Sequence, residues 1–266
     1  MKKYLLLFLT ALCSYIFYFF SLPPSTPYTP PPLPVQEQLL LVPLDSRPPC
    51  TLMAQDLGRL ASINVILPPK DLLDNYRTPA NREKLSSWLS HNAGNCPAVI
   101  SGDLLIHGGL LASRLPQGTV NDEQNFFKLL QAMPSGEDIT VFSIIPRLLV
   151  SDNLLPDAWY QWHLMRYSTL RDIVEQFGDY PSTAQLEEIK NKIPQEILQK
   201  YNVLYSTNDS FNKQLAALCA AKNYTLVIGQ DDAQPFGLPN RNRTHAEAYM
   251  RRAGLSSAST TTGGMI

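Results

Sequence analysis

Short apolar runs rich in β-branched residues alternate along the chain with longer stretches of helical periodicity, and four of the apolar runs stop abruptly in charged or polar clusters. Leu39–Leu44 leads into Asp45-Ser46-Arg47-Pro48-Pro49, and Ala98–Gly102 leads into Asp103 and then His107-Gly108-Gly109. Ile139–Ile145 leads into Pro146-Arg147, and Tyr224–Gly229 into Gln230-Asp231-Asp232. A fifth strand is predicted at Ile63–Leu67. Helical spacing predicts helices over 51–61, 81–91, 122–132, 158–177, 184–200 with a break at Pro194, and 208–222. The strands are apolar on both faces, as buried parallel strands are. Their alternation with helices predicts an α/β fold built on a parallel sheet, either open and doubly wound or an incomplete barrel. Between residues 145 and 224 no strand is legible. That interval reads as a helical insertion near the rim, carrying Trp159, Tyr160, Trp162, Tyr167 and Phe177.

The two ends follow different patterns. Met1-Lys2-Lys3 precedes seventeen uncharged residues, Tyr4 to Phe20. That run is near the lower limit for spanning a bilayer and longer than the usual signal-peptide core of roughly 7–15 residues. No small-x-small cleavage site follows, and Leu12 spoils a lipoprotein box before Cys13. The expectation is an uncleaved signal anchor with cytoplasmic lysines and an exported remainder; a cleaved signal peptide is the rival. Pro23 to Pro34 holds seven prolines in twelve residues, the composition of a semi-rigid polyproline spacer. The expected layout is an anchor or signal peptide over 1–21, a linker over 22–36, an α/β domain over 37–253 and a tail over 254–266. A short helix is expected at Thr244–Ala253. The small, polar residues after it offer no strand to close the sheet, so an unpaired edge and an apolar flank are expected.

Composition narrows the function. With 44% apolar residues the chain can bury a core, and a net charge of −1 with a pI near 6.4 gives no basic face for nucleic acid. Cys50, Cys96 and Cys219 are too scattered for a disulfide framework or a CxxC metal site.

If the strands are parallel, Asp45, Arg47, Asp103, His107, Arg147, Asp231 and Asp232 fall on one rim, where sheets of this kind bind ligands. Asp45 serves there as acid, base, hydroxyl acceptor or metal ligand, and Arg47 as a clamp for an anion; the structural alternative is a local ion pair. Asp103 and His107, four residues apart, share a face in a helical turn and suit an acid–base pair or two ligands of a divalent metal. Gly102, Gly108 and Gly109 allow close approach of a ligand. Gln230, Asp231 and Asp232 suit metal or sugar hydroxyls, with solvated turn acids as the alternative. Neither GxGxxG nor GxxxxGK is present, and no Ser/His/Asp order is visible, so no cofactor is assigned.

These motifs resemble an uncharacterised bacterial family, domain of unknown function 4127. The stretches that carry the resemblance are Leu40-Leu-Val-Pro-Leu-Asp-Ser-Arg-Pro-Pro49, Leu67-Pro-Pro-Lys-Asp-Leu-Leu73, Gly102-Asp103 with Gly108-Gly-Leu-Leu-Ala-Ser-Arg114, and Gly229-Gln-Asp-Asp-Ala233. The resemblance adds Arg114 to the rim candidates. It also implies a longer protein, of which this chain looks like an N-terminal half. The expectation for function is an exported, membrane-anchored hydrolase acting on a glycan or cell-envelope substrate through the strand-end carboxylates. The alternatives are a non-catalytic module that binds glycan or peptide, and an inactive fragment.

Overall fold

The computed structural model describes residues 10–15, 17–18, 37–76, 78–114, 120–136, 138–149, 159–178, 180–231 and 234–255. Two compact units are distinguished, Met1–Pro34 and Val35–Ile266. In the first, residues 10–15 and 17–18 are helical and exposed, while the rest of the predicted anchor and the proline-rich linker lie outside the described residues. Among the described residues no helix is long and apolar enough to cross a membrane.

The second unit is built on five strands, β1 (Glu37–Val42), β2 (Ile63–Ile66), β3 (Ala98–Ser101), β4 (Ile139–Ile145) and β5 (Thr225–Gln230). They form one sheet in the order β2-β1-β3-β4-β5, and every pairing is parallel. The sheet is therefore open, and the barrel alternative is set aside. This is one of the two common doubly wound orders. In sheets of this order ligands commonly bind where the order reverses, which here is outside the carboxyl ends of β1 and β3.

Helix α1 (Leu52–Leu60) joins β1 to β2, the one step that runs leftward along the sheet. The later connections run the other way through α2 (Arg82–Asn92), α3 (Gly102–His107), α4 (Leu110–Ser113), α5 (Val120–Ala132), α6 (Trp159–Phe177), α7 (Tyr180–Lys190) and α8 (Gln195–Lys222). Right-handed crossovers then put α1 on one face and α2, α5 and α8 on the other. The main core matches that second face. Leu40, Val42, Ile100 and Val141 from the sheet pack with Leu85, Leu89, Phe126, Leu130, Phe211 and Leu215 from the helices. Gly58 lets α1 lie flat on β2, since a Cβ there would sit 2.5 Å from the Val65 side chain.

The helical insertion forms a second cluster around Leu164, Tyr167, Tyr201 and Tyr205. Pro194 breaks the chain as expected, capping α8 with extended backbone. The separate helix expected at 208–222 is instead the second half of one helix of 28 residues. Its middle is polar and poor in helix formers, but Tyr201, Tyr205 and Phe211 recur on one buried stripe, and that packing overrides propensity. The last helix, α9 (Leu238–Arg252), starts six residues before the expected Thr244, because Pro239 is tolerated in a first turn. Of the insertion's predicted aromatics only Tyr167 is buried, while Trp159, Trp162 and Phe177 point to solvent.

Candidate functional site

All five strands deliver their carboxyl ends to one edge, so the charged exits meet there. After β1, Asp45 is buried at 3% exposure, and its Oδ2 accepts from Arg47 Nε at 2.8 Å and Nη2 at 2.7 Å. Its Oδ1 accepts from the Arg47 backbone N–H at 3.1 Å, which closes a tight polar turn before Pro48. Burial alone would raise the Asp45 pKa, but the bonds from Arg47 outweigh it and hold the carboxyl below its ordinary value. The local ion pair is thus real. It occupies both oxygens of Asp45. Cys50 lies against the same carboxylate; burial first, and then Asp45, push its thiol up to about 11, so it is no nucleophile near neutral pH.

The exit of β2 contributes Asp74, which composition and pattern gave no reason to single out. Its Oδ1 accepts from the Ser46 N–H at 2.6 Å and ties the second exit to the first. Burial raises its pKa.

After β3, Ser101 caps α3 by accepting from the Leu104 N–H, and Asp103 turns inward. Its Oδ2 accepts from the Ile144 N–H at 2.9 Å, so the side chain continues the β3–β4 ladder where β3 itself has ended. Asp103 is 5% exposed, and burial drives its pKa up to about 7 against the bonds from Ile144 and Ser113, with the charge of Asp231 adding to the rise.

The predicted shared face of Asp103 and His107 is observed. Both line a cavity of about 250 Å³ between α3, α5, the end of β4 and α8, together with Ser113, Glu123, Asn208 and Phe211. Burial, reinforced by Arg82, lowers the His107 pKa to about 4, so its ring is neutral at physiological pH. Its Nδ1 is sealed from solvent and, among the described residues, has no hydrogen-bond partner. A ring held neutral in this way takes up a proton only in acid. Glu123, which carries no local signal in the sequence, also has its pKa raised by burial.

Gly108 and Gly109 pack against neighbouring segments, while Gly102 lines the cavity. Gly108 and Gly109 have φ of 86° and 128°. A Cβ on Gly108 would lie 2.6 Å from Pro79, one on Gly109 3.2 Å from Asp74, and one on Gly102 3.2 Å from Phe211.

At β4, Arg147 donates from Nε to Leu149 O at 3.2 Å, and its own carbonyl accepts the Tyr205 hydroxyl at 2.7 Å. At β5, Asp231 accepts from Arg114 Nη2 at 2.6 Å and Nε at 3.1 Å, both on Oδ2. This pair spans 117 residues and is largely buried, at 12% and 17% side-chain exposure. Asp231 lies within electrostatic reach of Arg47, Asp103 and Tyr205. The Gln230 amide nitrogen is buried and has no partner among the described residues. Asp232 lies outside the described residues. Among the described residues no group of three or more His, Cys, Asp or Glu side chains can hold a metal ion.

Together these features define a class: an open, parallel α/β protein with carboxylates and arginines gathered at the carboxyl edge of its sheet. The chain belongs to the family described as protein of unknown function (DUF4127), which it matches over residues 39–265. No curated protein and no solved structure matches it.

Proposed function

We propose that this edge is the acid–base site of a hydrolase for polyhydroxylated, cell-envelope substrates. One observation carries the reading: a buried carboxyl, Asp103, holds its proton up to about pH 7 beside Asp231, which is salt-bridged to Arg114. Two carboxyl groups whose surroundings differ in this way divide the work of proton donor and charged partner. Asp103 acts as general acid, Asp231 is its charged partner, and Asp45 with Arg47 frames the opposite lip. Arg47, at 55% side-chain exposure, is the cation best placed to meet an anionic group of a substrate. The engagement of Asp45 and Asp231 by arginines favours a second reading, a binding module in which the same edge recognises a glycan without turnover.

The test is release of 4-nitrophenol from a panel of 4-nitrophenyl glycosides by the full chain. Activity that falls at least ~10²-fold in Asp103→Asn, with a wild-type profile losing its acid form near pH 7, supports the hydrolase. Equal rates in wild type and Asp103→Asn reject it. Glycan binding without turnover supports the module.

The apolar stretch after Lys2-Lys3 supports export and anchoring. Tags at both ends of the chain are expected in the membrane pellet after fractionation, and a soluble, shortened product starting near Ser21 overturns the anchor.

A further inference from the structure

We propose that Asn208 is a positioning residue for Asp103: backed by Asn212 and Asn242, it fixes the stretch of β4 that aims the Asp103 carboxyl. The catalytic consequence rests on the acid–base reading above; the chain of hydrogen bonds does not.

Strand β3 ends at Ser101, which pairs with Phe142, so Ile144 has no strand beside it on that side. The Asp231 N–H donates to Ile145 O at 3.1 Å, which turns the backbone groups of Ile145 toward β5 and those of Ile144 the other way. Two side chains take the positions that β3 leaves empty. The Ile144 N–H donates to Asp103 Oδ2 at 2.9 Å, and Asn208 Nδ2 donates to Ile144 O at 3.1 Å. One residue of β4 is thus gripped through its donor by the acid and through its acceptor by the amide. Asp103 and Asn208 line the same cavity.

The amides behind this grip run one way. A backbone carbonyl only accepts, so Asn208 presents Nδ2 to Ile144 and Oδ1 to the opposite side. There Oδ1 accepts from Asn212 Nδ2 at 3.2 Å and from Asn242 Nδ2 at 3.3 Å. Asn242 Nδ2 also donates to Tyr205 O at 2.7 Å, which fixes its orientation by the same logic. Asn212 and Asn242 are each 1% exposed. Apolar residues would join α8 to α9 without the cost of burying amides. A polar chain that ends on Ile144 serves the group bound to Ile144.

The titratable and charged groups around Asp103 lie elsewhere. They are His107 on its own helix, Glu123 on α5, and Asp231 after β5 with Arg114 paired to it. From α8 the cavity receives Thr207 and Asn208, both uncharged. A change at Asn208 therefore reaches Asp103 through Ile144 and the cavity wall, with no charge altered.

The experiment follows the Asp103 side-chain carboxyl by ¹³C NMR through a pH titration of the full 266-residue chain, with 4-nitrophenyl glycoside release measured over the same range. Asn208→Leu keeps the branched shape and removes the bonds on both sides. Losing the aimed Ile144 N–H, beside a drier wall, should raise the Asp103 titration by about half a unit or more. Mere loosening of the strand end would admit water and move the titration the other way, toward the ordinary carboxylate range. The sign separates positioning from structural support. Asn212→Leu is the milder variant. It removes one donor to Asn208 Oδ1 together with a buried oxygen that has no partner among the described residues, so the fold is kept. It should shift Asp103 in the same direction by less. Tyr205→Phe cuts the neighbouring bond to Arg147 O and should leave the titration unchanged.

A downward or absent shift in the folded asparagine variants, or an equal shift in Tyr205→Phe, overturns the positioning role. An upward shift that the pH limb of glycoside release does not follow rejects the acid–base reading alone. Loss of release in Asp103→Asn, with the titration unmoved in the asparagine variants, rejects the positioning role alone.

Discussion

Asp103, buried, and His107, half-buried, are titratable groups that line one cavity and are pushed in opposite directions. Asp103 titrates near 7 in the fold against 3.8 ordinarily, so the unfolded chain ionises first, and this group costs stability as pH rises from about 4 to about 7. His107 titrates near 4 against 6.5, so its contribution is present above about pH 6.5 and is lost as pH falls toward 4. Spans this wide correspond to roughly 3–4.5 kcal/mol for each group, and between about pH 4 and 6.5 the two slopes oppose each other. Single substitutions unmask them. Relative to wild type, Asp103→Asn should gain stability progressively from pH 4 to 7, because the amide oxygen can still accept from Ile144 N–H. His107→Phe should gain stability below pH 6.5. Urea midpoints across that range check both, and parallel curves for wild type and variants would show that neither group is perturbed.

Among the elements, the tightest tie across the site is the short helix α4 joined to β5 through Arg114 and Asp231. Removing one member of a largely buried pair strands the other, so Arg114→Met is expected to cost roughly 3–5 kcal/mol. The double variant Arg114→Met, Asp231→Leu should recover most of that loss, and a double-mutant cycle from chemical denaturation measures it. Gly108 is the second such point, ending α3 at φ 86° with Pro79 2.6 Å from a would-be Cβ. Gly108→Ala meets both backbone strain and a clash, so a loss of at least ~2 kcal/mol is expected. A wild-type melting temperature in that variant would show that the turn has room to relax. The long helix α8 reaches the same edge through the Tyr205 hydroxyl on Arg147 O, a bond worth about 1 kcal/mol.

For the whole molecule, the uneven covering of the sheet matters most. All-parallel sheets usually have both faces covered. Here the face bearing α1 leaves Leu39, Leu41, Val99 and Phe142 only half-buried, and Val227 on the edge strand is 49% exposed. Helix α1 adds an outward stripe of Met53, Leu57 and Leu60 at 56%, 66% and 80% exposure. The last helix, α9, packs on α8 instead of crossing to that face. An apolar surface of this kind favours self-association. Leu57→Glu with Leu60→Lys is expected to raise solubility and reduce dye binding by the exposed face, with stability changed by no more than about 0.5 kcal/mol. A large loss of stability would mean that the stripe is packed.

Strands, their parallel direction and the meeting of Asp45, Asp103, Arg147 and Asp231 at one edge were legible in the chain. A run apolar on both faces has few places to go except a covered sheet, and helical connections force parallel strands. The anchor-like apolar stretch is likewise a property of composition alone. Partnerships between distant residues were not legible. Nothing near Arg114 in the chain points to Asp231, and Asp74, Ser113 and Glu123 carry no local signal, because each acquires its role from segments that only folding brings beside it. The same holds for the protonation of Asp103 and the neutrality of His107. A pKa is set mainly by the water that packing removes, and packing is a property of the assembled layers.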